Sequence, residues 1–413
     1  MKTLLTTTAL LVATTSASAQ STDVSAMIAS GGLVATGDYL AALPDPDATE
    51  RFALGGVRFL SAIKGVLQTR HGIAVSSEML EMPGLPLLRL PVPPNPDAAP
   101  FGAAMVTGLF ADAIDDLALA LPPLDTIADD DTVALTIDTA DIWFDIDADG
   151  ARGPGEGLLD VAGAILAPQI GAALVDPDAG AAPPAPASVV VRFDTADAAW
   201  LSAYAHLLSG VSEAVVAVDP TDAIDRVMTS RRNFAAIGAV QPRNNWFDNA
   251  SLIDPVDLLS MVVLALDGVP DAVHARAAHD HFLAMIADNR TFWYRVATET
   301  DDDMEWIPNK TQTSALPIDF PAETGAQWQA VLADAERLLT GEALLPYWRL
   351  RDHAGLNLAA LMRDPPNLDL IGLIQGESLL PYVETGPRVD GNNLRMFEQL
   401  VSGDAGLFMV ILN

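Results

Sequence analysis

Four carboxylates and a glycine are spaced over one short stretch of this sequence in a pattern that suits cation binding. Asp145, Asp147 and Asp149 alternate with apolar residues, Gly150 follows, and Glu156 comes six residues later. Carboxylate oxygens are the ligands that hard divalent cations such as Ca²⁺ and Mg²⁺ prefer. Glycine permits the sharp bend that brings two groups of ligands together. The stretch therefore predicts a cation site built from oxygen ligands.

Residues 145–156 resemble the twelve-residue EF-hand calcium-binding loop, with acidic residues at its positions 1, 3, 5 and 12 and glycine at position 6. The resemblance implies Ca²⁺ as the cofactor. The ligands that it implies are the side chains of Asp145, Asp147 and Asp149, the backbone carbonyl of Ala151, and both carboxylate oxygens of Glu156. The resemblance covers these twelve residues, and the rest of the chain resembles no characterised family.

The surroundings of the loop differ from those of a paired EF-hand. Residues 132–144 alternate apolar and polar side chains, which favours a strand before the loop rather than a helix. Arg152 stands at position 8, where a paired EF-hand has an apolar residue, and the sequence contains no second matching loop. We therefore expect a single calcium loop with a structural role, which joins residues 132–144 to a helix near 158–170. On this view, Glu156→Gln weakens calcium binding and leaves the fold intact.

Other acidic groups are weaker candidates for a second cation site. Asp194 and Asp197 flank the start of a predicted helix, where a carboxylate accepts hydrogen bonds from free backbone N–H groups. Residues 301–303 are three consecutive aspartates, and Glu305 follows them closely. For both groups, helix caps and solvated turns are the expected explanation.

No residue is predicted to be catalytic. His274, His279 and His281 fall on one predicted helix, but residues two positions apart point to different faces, which argues against a shared metal. Ser61 and Lys64 match the S-x-x-K motif of penicillin-binding enzymes, yet the companion motifs of those enzymes are absent. We lean against enzymatic activity on this basis.

The charge balance restricts the class of partner. The 413 residues include 22 basic and 55 acidic side chains, which gives a formal net charge of −33. A surface this negative repels nucleic acid and attracts cations, so nucleic-acid binding is not expected. There is no cysteine, which excludes disulfides and thiolate metal sites.

The amino terminus predicts export. Lys2 precedes an apolar run, and small residues, Ala17 and Ala19, occupy the −3 and −1 positions before Gln20. These are the features of a secretory signal peptide spanning residues 1–19. We expect a periplasmic or secreted protein without membrane insertion, because no later stretch contains about 18 uninterrupted apolar residues.

Hydrophobic periodicity predicts a mainly α protein with minor β, in which a large globular helical domain carries short strands. The proline-rich residues 176–187 are the best candidate for a boundary. It would separate an amino-terminal helical part, 20–187, which contains the calcium loop, from a carboxy-terminal helical part, 188–413. A single continuous domain is the alternative.

Three functions remain open at this stage. The preferred one is an exported, acidic calcium-binding protein with a structural or binding role and an unidentified protein or carbohydrate partner. A secreted hydrolase stabilised by calcium is the second, and a surface interaction protein with an acidic face is the third. Aromatic residues in the carboxy-terminal part would line the hydrolase cleft: Trp293, Tyr294, Trp306, Tyr347, Trp348 and Tyr382.

Overall fold

The computed structural model describes residues 23–74, 86–88, 90–161, 189–237, 255–316, 320–367, 369–401, 408 and 412. Within these residues the chain is mainly helical with few short strands, so the predicted fold class is confirmed. The predicted signal peptide and the predicted boundary at 176–187 lie outside the described residues. The helices are α1 (Val24–Ala41), α2 (Ala48–His71), α3 (Ala104–Ala118), α4 (Leu121–Asp125), α5 (Thr195–Val218), α6 (Thr221–Ala236), α7 (Pro255–Ala265), α8 (Ala272–Val296), α9 (Thr324–Thr340), α10 (Leu358–Arg363), α11 (Leu370–Gln375) and α12 (Asn392–Leu400).

The described strands form three separate pairs. β1 (Ile73–Ala74) pairs in parallel with β2 (Ala99–Pro100). β3 (Leu135–Asp138) pairs antiparallel with β4 (Val190–Phe193), and β5 (Ala354–Leu356) pairs antiparallel with β6 (Val383–Thr385). The alternating pattern predicts a strand over residues 132–144. The observed strand is shorter, because regular pairing is confined to β3.

Helices α2 and α5 each begin at an aspartate whose side chain caps the helix. The Asp47 carboxylate accepts a hydrogen bond from Glu50 N at the start of α2, and the Glu50 carboxylate accepts one from Asp47 N in return. Asp194 and Asp197 form the same reciprocal capping box at the start of α5. Each box satisfies N–H groups that a helix terminus would otherwise leave unpaired. The predicted cap at Asp194 is thus present.

Helix α5 lies at the centre of the described structure. It packs along α8 and also contacts α2, α3 and α4. Its residues enter all three groups of buried apolar side chains: Leu201 packs with α1 and α2, Ala203 with α8 and α9, and Leu208 with α3. One helix therefore joins the cores on either side of it.

Helix α5 is also the one described helix that is long and apolar enough to cross a membrane. Its most apolar window is 56% buried inside the protein. The apolar character of α5 is accounted for by its contacts with the surrounding helices, since core helices are apolar on most sides.

Candidate metal centre

The two ends of the carboxylate loop, residues 145–156, lie side by side where the loop joins the core. Phe144 N donates a hydrogen bond to Glu156 O (2.8 Å), and Leu158 N donates one to Ile142 O (2.9 Å). These bonds close the loop like the end of an antiparallel hairpin. Residues 158–161 are helical after it, whereas no helix leads into it. The rest of the helix predicted over 158–170 lies outside the described residues.

Buried neighbours hold the loop in place. Phe144 and Ile146 have 1% of their surface exposed and pack into the same core as α1 and α2. Gln68 Nε2, on α2, donates a hydrogen bond to the carbonyl oxygen of Asp145 (2.6 Å). The first ligand position is therefore attached to a long helix as well as to the core.

The loop brings together three of the five predicted ligands. Asp145, Asp147 and Asp149 each offer a carboxylate oxygen, and these oxygens lie within 4.8 Å of one another. The backbone bends sharply between them, with positive φ at Ala148 (60°) and Gly150 (80°). Glycine adopts this conformation readily, whereas an alanine there is uncommon. The bends turn all three side chains toward one point.

Backbone N–H groups of the loop fix one oxygen of each aspartate. Gly150 N donates to Asp145 Oδ1 (3.1 Å), Asp149 N to Asp147 Oδ1 (3.2 Å), and Ala151 N to Asp149 Oδ1 (2.8 Å). Within the described part of the chain, no donor contacts the Oδ2 atoms of these aspartates. One oxygen of each carboxylate is therefore available to a cation.

Glu156 occupies a different position from the aspartates. Its side chain is buried, with 2% of the residue exposed. Its Oε1 accepts hydrogen bonds from Ile146 N (2.7 Å) and Asp147 N (3.3 Å), and its Oε2 accepts one from Gly153 N (2.6 Å). Glu156 thus links the two halves of the loop, because backbone N–H groups from both halves donate to its carboxylate. Ala151, the fifth predicted ligand, is exposed, and the contact that it makes here is the N–H bond to Asp149.

The arginine of the loop does not neutralise the aspartates. Arg152 Nη1 donates a hydrogen bond to Ala140 O (2.8 Å), and its other terminal nitrogen lies over Gly157. Among the described residues, Arg152 forms no ion pair with a carboxylate. Three negative side chains therefore lie close together without an ion-pair partner among the described residues, an arrangement that Coulomb repulsion disfavours unless a cation binds.

A second acidic cluster forms where α8 ends beside the start of α5. Carboxylate oxygens of Asp194, Glu299 and Glu305 lie within 4.8 Å of one another. Arg192 is close, but its ion pairs go to Asp301 (3.5 Å) and Asp303 (3.4 Å) instead. The sequence indicated Asp194 and Glu305 separately and missed Glu299, because nothing in the local pattern after α8 indicates a neighbour more than a hundred residues away.

Burial alters the acidity of this second cluster. Burial, followed by the charge of Asp194, raises the pKa of Glu299 to about 8. Burial is also the main cause that raises the pKa of Asp194 and Glu305, and it raises that of Asp197 well above the usual range. A side-chain hydrogen bond joins Asp194 and Glu299, which requires a proton on one of them. The expectation of solvated caps was therefore wrong for Asp197, which is buried, whereas Asp194 is partly buried.

The side chains of the four histidines on α5 and α8 contact protein partners. His274 Nδ1 lies 2.6 Å from Glu213 Oε2, and His206 Nδ1 lies 2.8 Å from His281 Nδ1. His279 is buried, and its Nε2 donates to Leu339 O (2.7 Å). These contacts place them in the packing of α8 against α5 and α9.

The aromatic residues of the carboxy-terminal part are dispersed rather than gathered in one cleft. Trp306 packs against Trp200 at a ring-centroid distance of 5.5 Å, within the core. Trp293 packs edge-on against Phe292, and Trp348 Nε1 donates to Ile374 O (3.1 Å) at the surface. The described residues therefore offer no common aromatic site for the hydrolase alternative.

Comparison of the chain with protein-family models, with curated proteins and with solved structures finds no match. A functional assignment therefore rests on the chemistry of the sites themselves.

Proposed function

We propose that this protein is an exported, acidic calcium-binding protein in which residues 145–156 hold one Ca²⁺ with a structural role. The observation that carries the proposal is the convergence of Asp145, Asp147 and Asp149, each with one carboxylate oxygen that no donor of the described residues contacts. A divalent cation at that point would relieve the repulsion among the three carboxylates. It would also cross-link the two bends of the loop.

The ligand chemistry favours calcium among the common cations. The site offers oxygen ligands alone, which suits Ca²⁺ and Mg²⁺ better than softer metals. Ca²⁺ accepts six to eight oxygens in a flexible cage, whereas Mg²⁺ requires nearly ideal octahedral geometry and keeps several waters. Asp147 and Asp149 are exposed, so waters are free to complete the shell of a larger, less demanding ion.

The remaining two predicted ligands, Ala151 and Glu156, have different roles in the proposed site. Ala151 lies two residues after the third aspartate, and its backbone carbonyl would join the shell. Glu156 already accepts three backbone hydrogen bonds, so binding of its carboxylate to Ca²⁺ would compete with them. We therefore assign to Glu156 the role of shaping the loop.

Calcium titration of thermal unfolding tests this function. We expect the unfolding temperature to rise by several degrees when the chelator EDTA is replaced by millimolar Ca²⁺ at constant ionic strength, because a ligand that binds the folded state stabilises it. The same concentration of Mg²⁺ should have a smaller effect. An unchanged unfolding temperature, together with no heat of Ca²⁺ binding in calorimetry, would remove the proposed function.

Export is the second part of the proposal, and it is supported by the sequence of residues 1–19. We expect expression of the full chain in a Gram-negative host to yield a periplasmic protein whose first residue is Gln20. Fractionation followed by intact-mass measurement checks both points. A protein that keeps Met1 and stays in the cytoplasm would contradict export without affecting the calcium site.

A second candidate function, an interaction surface, is favoured by one apolar patch. Ile371 and Ile374 lie one turn apart on α11 and are 76% and 59% exposed. Trp348, 69% exposed, is hydrogen-bonded to the same helix. Contiguous exposed apolar side chains are typical of binding surfaces. Sedimentation of the wild type and of Ile374→Ser would reveal self-association through this patch.

A further inference from the structure

A row of polar side chains lies between α5 and α8. Ser202 Oγ, near the start of α5, donates a hydrogen bond to Asp288 Oδ2 (2.7 Å), near the end of α8. Glu213, toward the end of α5, has its Oε2 2.6 Å from Nδ1 of His274, at the start of α8. Because early residues of α5 contact late residues of α8, the two helices run antiparallel. The polar row follows their shared contact for several turns.

A pair of histidines forms the middle of this row. His206 Nδ1 lies 2.8 Å from His281 Nδ1, and the ring centroids are 5.0 Å apart. This separation is that of a hydrogen bond between the two nitrogens. Both side chains are partly buried, one on each helix. The protein therefore holds the two imidazole rings against each other across the α5–α8 contact.

The number of protons on the two rings decides whether this contact persists. In the neutral pair, one ring donates its Nδ1–H and the other accepts through the lone pair of its Nδ1. A first extra proton can bind the free Nε2 of the donating ring without loss of the bond. Asp288 Oδ2, 3.9 Å from Nε2 of His206, favours such a proton. A second extra proton must bind the accepting Nδ1, and it places two N–H groups and two positive charges face to face.

Burial is the main influence on the acidity of the two rings. It lowers the pKa of His206, an effect that the carboxylate of Asp125 on α4 opposes. It also lowers the pKa of His281, and a charge on the neighbouring ring lowers it further, whereas Glu213 and Asp280 oppose both effects. The pair therefore stays neutral in mildly acidic solution in which a solvated histidine takes up a proton.

We propose that the His206–His281 pair is an acid-sensitive switch, which joins α5 to α8 at neutral pH and releases this contact when both rings are protonated. Two protonated rings repel each other and share no hydrogen bond, so they turn apart. Histidine is suited to this role because its charge changes within the mildly acidic range. The switch depends neither on calcium binding nor on export.

The sign of the effect follows from the proton balance. The folded pair binds protons less readily than the unfolded chain does, so its stabilisation is present above about pH 6.5 and is lost as the pH falls below that value. Glu299, beside the start of α5, acts in the opposite direction, because the folded chain holds its proton more firmly. Acid therefore secures one end of the helix pair and releases its middle.

Hydrogen exchange measured by mass spectrometry tests the switch in the full chain. The protein is kept in EDTA at pH 7.5 and at pH 5.0, and the rates are corrected for the intrinsic pH dependence of exchange. We expect the amides of α5 and α8 around the histidine pair to exchange at least tenfold faster at pH 5.0. The amides at the start of α5 should not share this increase. Equal corrected rates around the pair at the two pH values would overturn the proposal.

His281→Asn tests whether the pair itself carries the response. Asparagine places a neutral amide near the position of Nδ1 and cannot take up a proton in this pH range. We expect exchange around position 206 to change less than twofold between pH 7.5 and pH 5.0. His353→Asn is the matched control, since His353 is exposed and its positive φ (70°) suits asparagine. An acid response in His281→Asn as large as in His353→Asn would overturn the proposal.

Nitrogen-15 NMR of the histidine side chains in the wild type gives a test that needs no variant to fold. At pH 7.5 we expect one ring of the pair to carry its proton on Nδ1 and the other on Nε2. As the pH falls, both protonations of the pair should be complete only at a lower pH than that of the exposed His353. Protonation of both rings at the pH at which His353 is protonated would overturn the switch.

Discussion

Asp147 is the aspartate whose replacement isolates calcium coordination from folding. Asp147→Asn keeps the Oδ1 acceptor for Asp149 N and removes one negative charge from the cluster. We expect calcium affinity to fall at least tenfold, because affinity in such loops follows the number of charged ligands. Stability in EDTA should be unchanged or slightly higher, since repulsion decreases.

The control for this variant is Asp130→Asn, which changes an exposed aspartate in the turn before β3. Isothermal titration calorimetry of both variants gives the comparison. Equal calcium affinity in Asp147→Asn and Asp130→Asn would show that the three aspartates are not the ligands.

Glu156 gives a different prediction at the residue scale. Glu156→Gln puts an amide group where the carboxylate accepts bonds from Ile146, Asp147 and Gly153, so at least one N–H loses its partner. Hydrogen bonds to a charged group contribute about 1.5 to 3 kcal/mol each. We expect the free energy of unfolding in EDTA to fall by about 2 to 4 kcal/mol.

Urea titration of Glu156→Gln checks this value, with the exposed Glu342→Gln as its control. The expectation drawn from sequence was that Glu156→Gln leaves the fold intact. The buried hydrogen bonds of Glu156 are the reason to revise it. A variant as stable as the wild type without calcium would restore the original view.

The acidic cluster where α8 ends beside the start of α5 should make the stability of the folded protein depend on pH. The pKa of Glu299 is raised from 4.5 to about 8, so the folded chain holds a proton that the unfolded chain releases near pH 4.5. The stabilisation is fully present below pH 4.5 and is lost as the pH rises through 8. We therefore expect lower stability at pH 8.5 than at pH 5.5.

Urea midpoints at these two pH values, measured in EDTA, test the junction. Glu299→Gln imitates the protonated side chain, so its midpoint should decrease less between pH 5.5 and 8.5 than that of the wild type. Asp130→Asn serves again as a control. If the wild type and Glu299→Gln respond equally to pH, Glu299 does not carry the effect.

The close packing of α5 on α8 depends on a glycine. A Cβ added at Gly210 would lie 2.8 Å from a ring carbon of Phe282, on α8. We expect Gly210→Ala to lower the free energy of unfolding by about 1 to 3 kcal/mol, because overpacking displaces neighbouring groups.

Gly108→Ala, on α3, is the matched control, since no described atom outside the backbone of its own helix turn lies within 4 Å of its added Cβ. This change should raise the free energy of unfolding by about 0.5 to 1 kcal/mol, because alanine restricts the unfolded chain more than glycine does. Urea denaturation of both variants checks the pair. The same sign of change in both would contradict the packing argument.

At the scale of the whole molecule, α5 predicts cooperative unfolding. Leu201, Ala203 and Leu208 place one helix in all three groups of buried side chains. Loss of α5 would therefore expose core surface on both sides at once. We expect one unfolding transition in urea.

Fluorine NMR of the protein labelled with 5-fluorotryptophan tests whether the cores on the two sides of α5 unfold together. Trp143 reports on the core near α1, where its Nε1 donates to Ile28 O (2.8 Å), and Trp328 reports on the core near α12 through its contact with Phe397. Trp→Phe variants assign the two resonances. Loss of one resonance well before the other would indicate two independent units.

The sequence by itself predicted the features that depend on residues close together in the chain. Apolar periodicity predicted helices, because burial of one helical face repeats every three to four residues. The capping position of Asp194 was evident because its partners lie within three residues. The convergence of Asp145, Asp147 and Asp149 was evident for the same reason: one short loop contains them all.

Tertiary structure alone decided the features that join distant segments. Glu299 comes beside Asp194 only because α8 ends where α5 begins, and the burial that raises its pKa arises from that packing. The burial of Glu156 likewise depends on the closure of the loop against the core. Arg70 is buried at the end of α2, and its hydrogen bond to the carbonyl oxygen of Leu90 depends on the packing of a segment twenty residues away. Contacts of this kind carry no local periodicity, because the separation along the chain is unrelated to the distance in space.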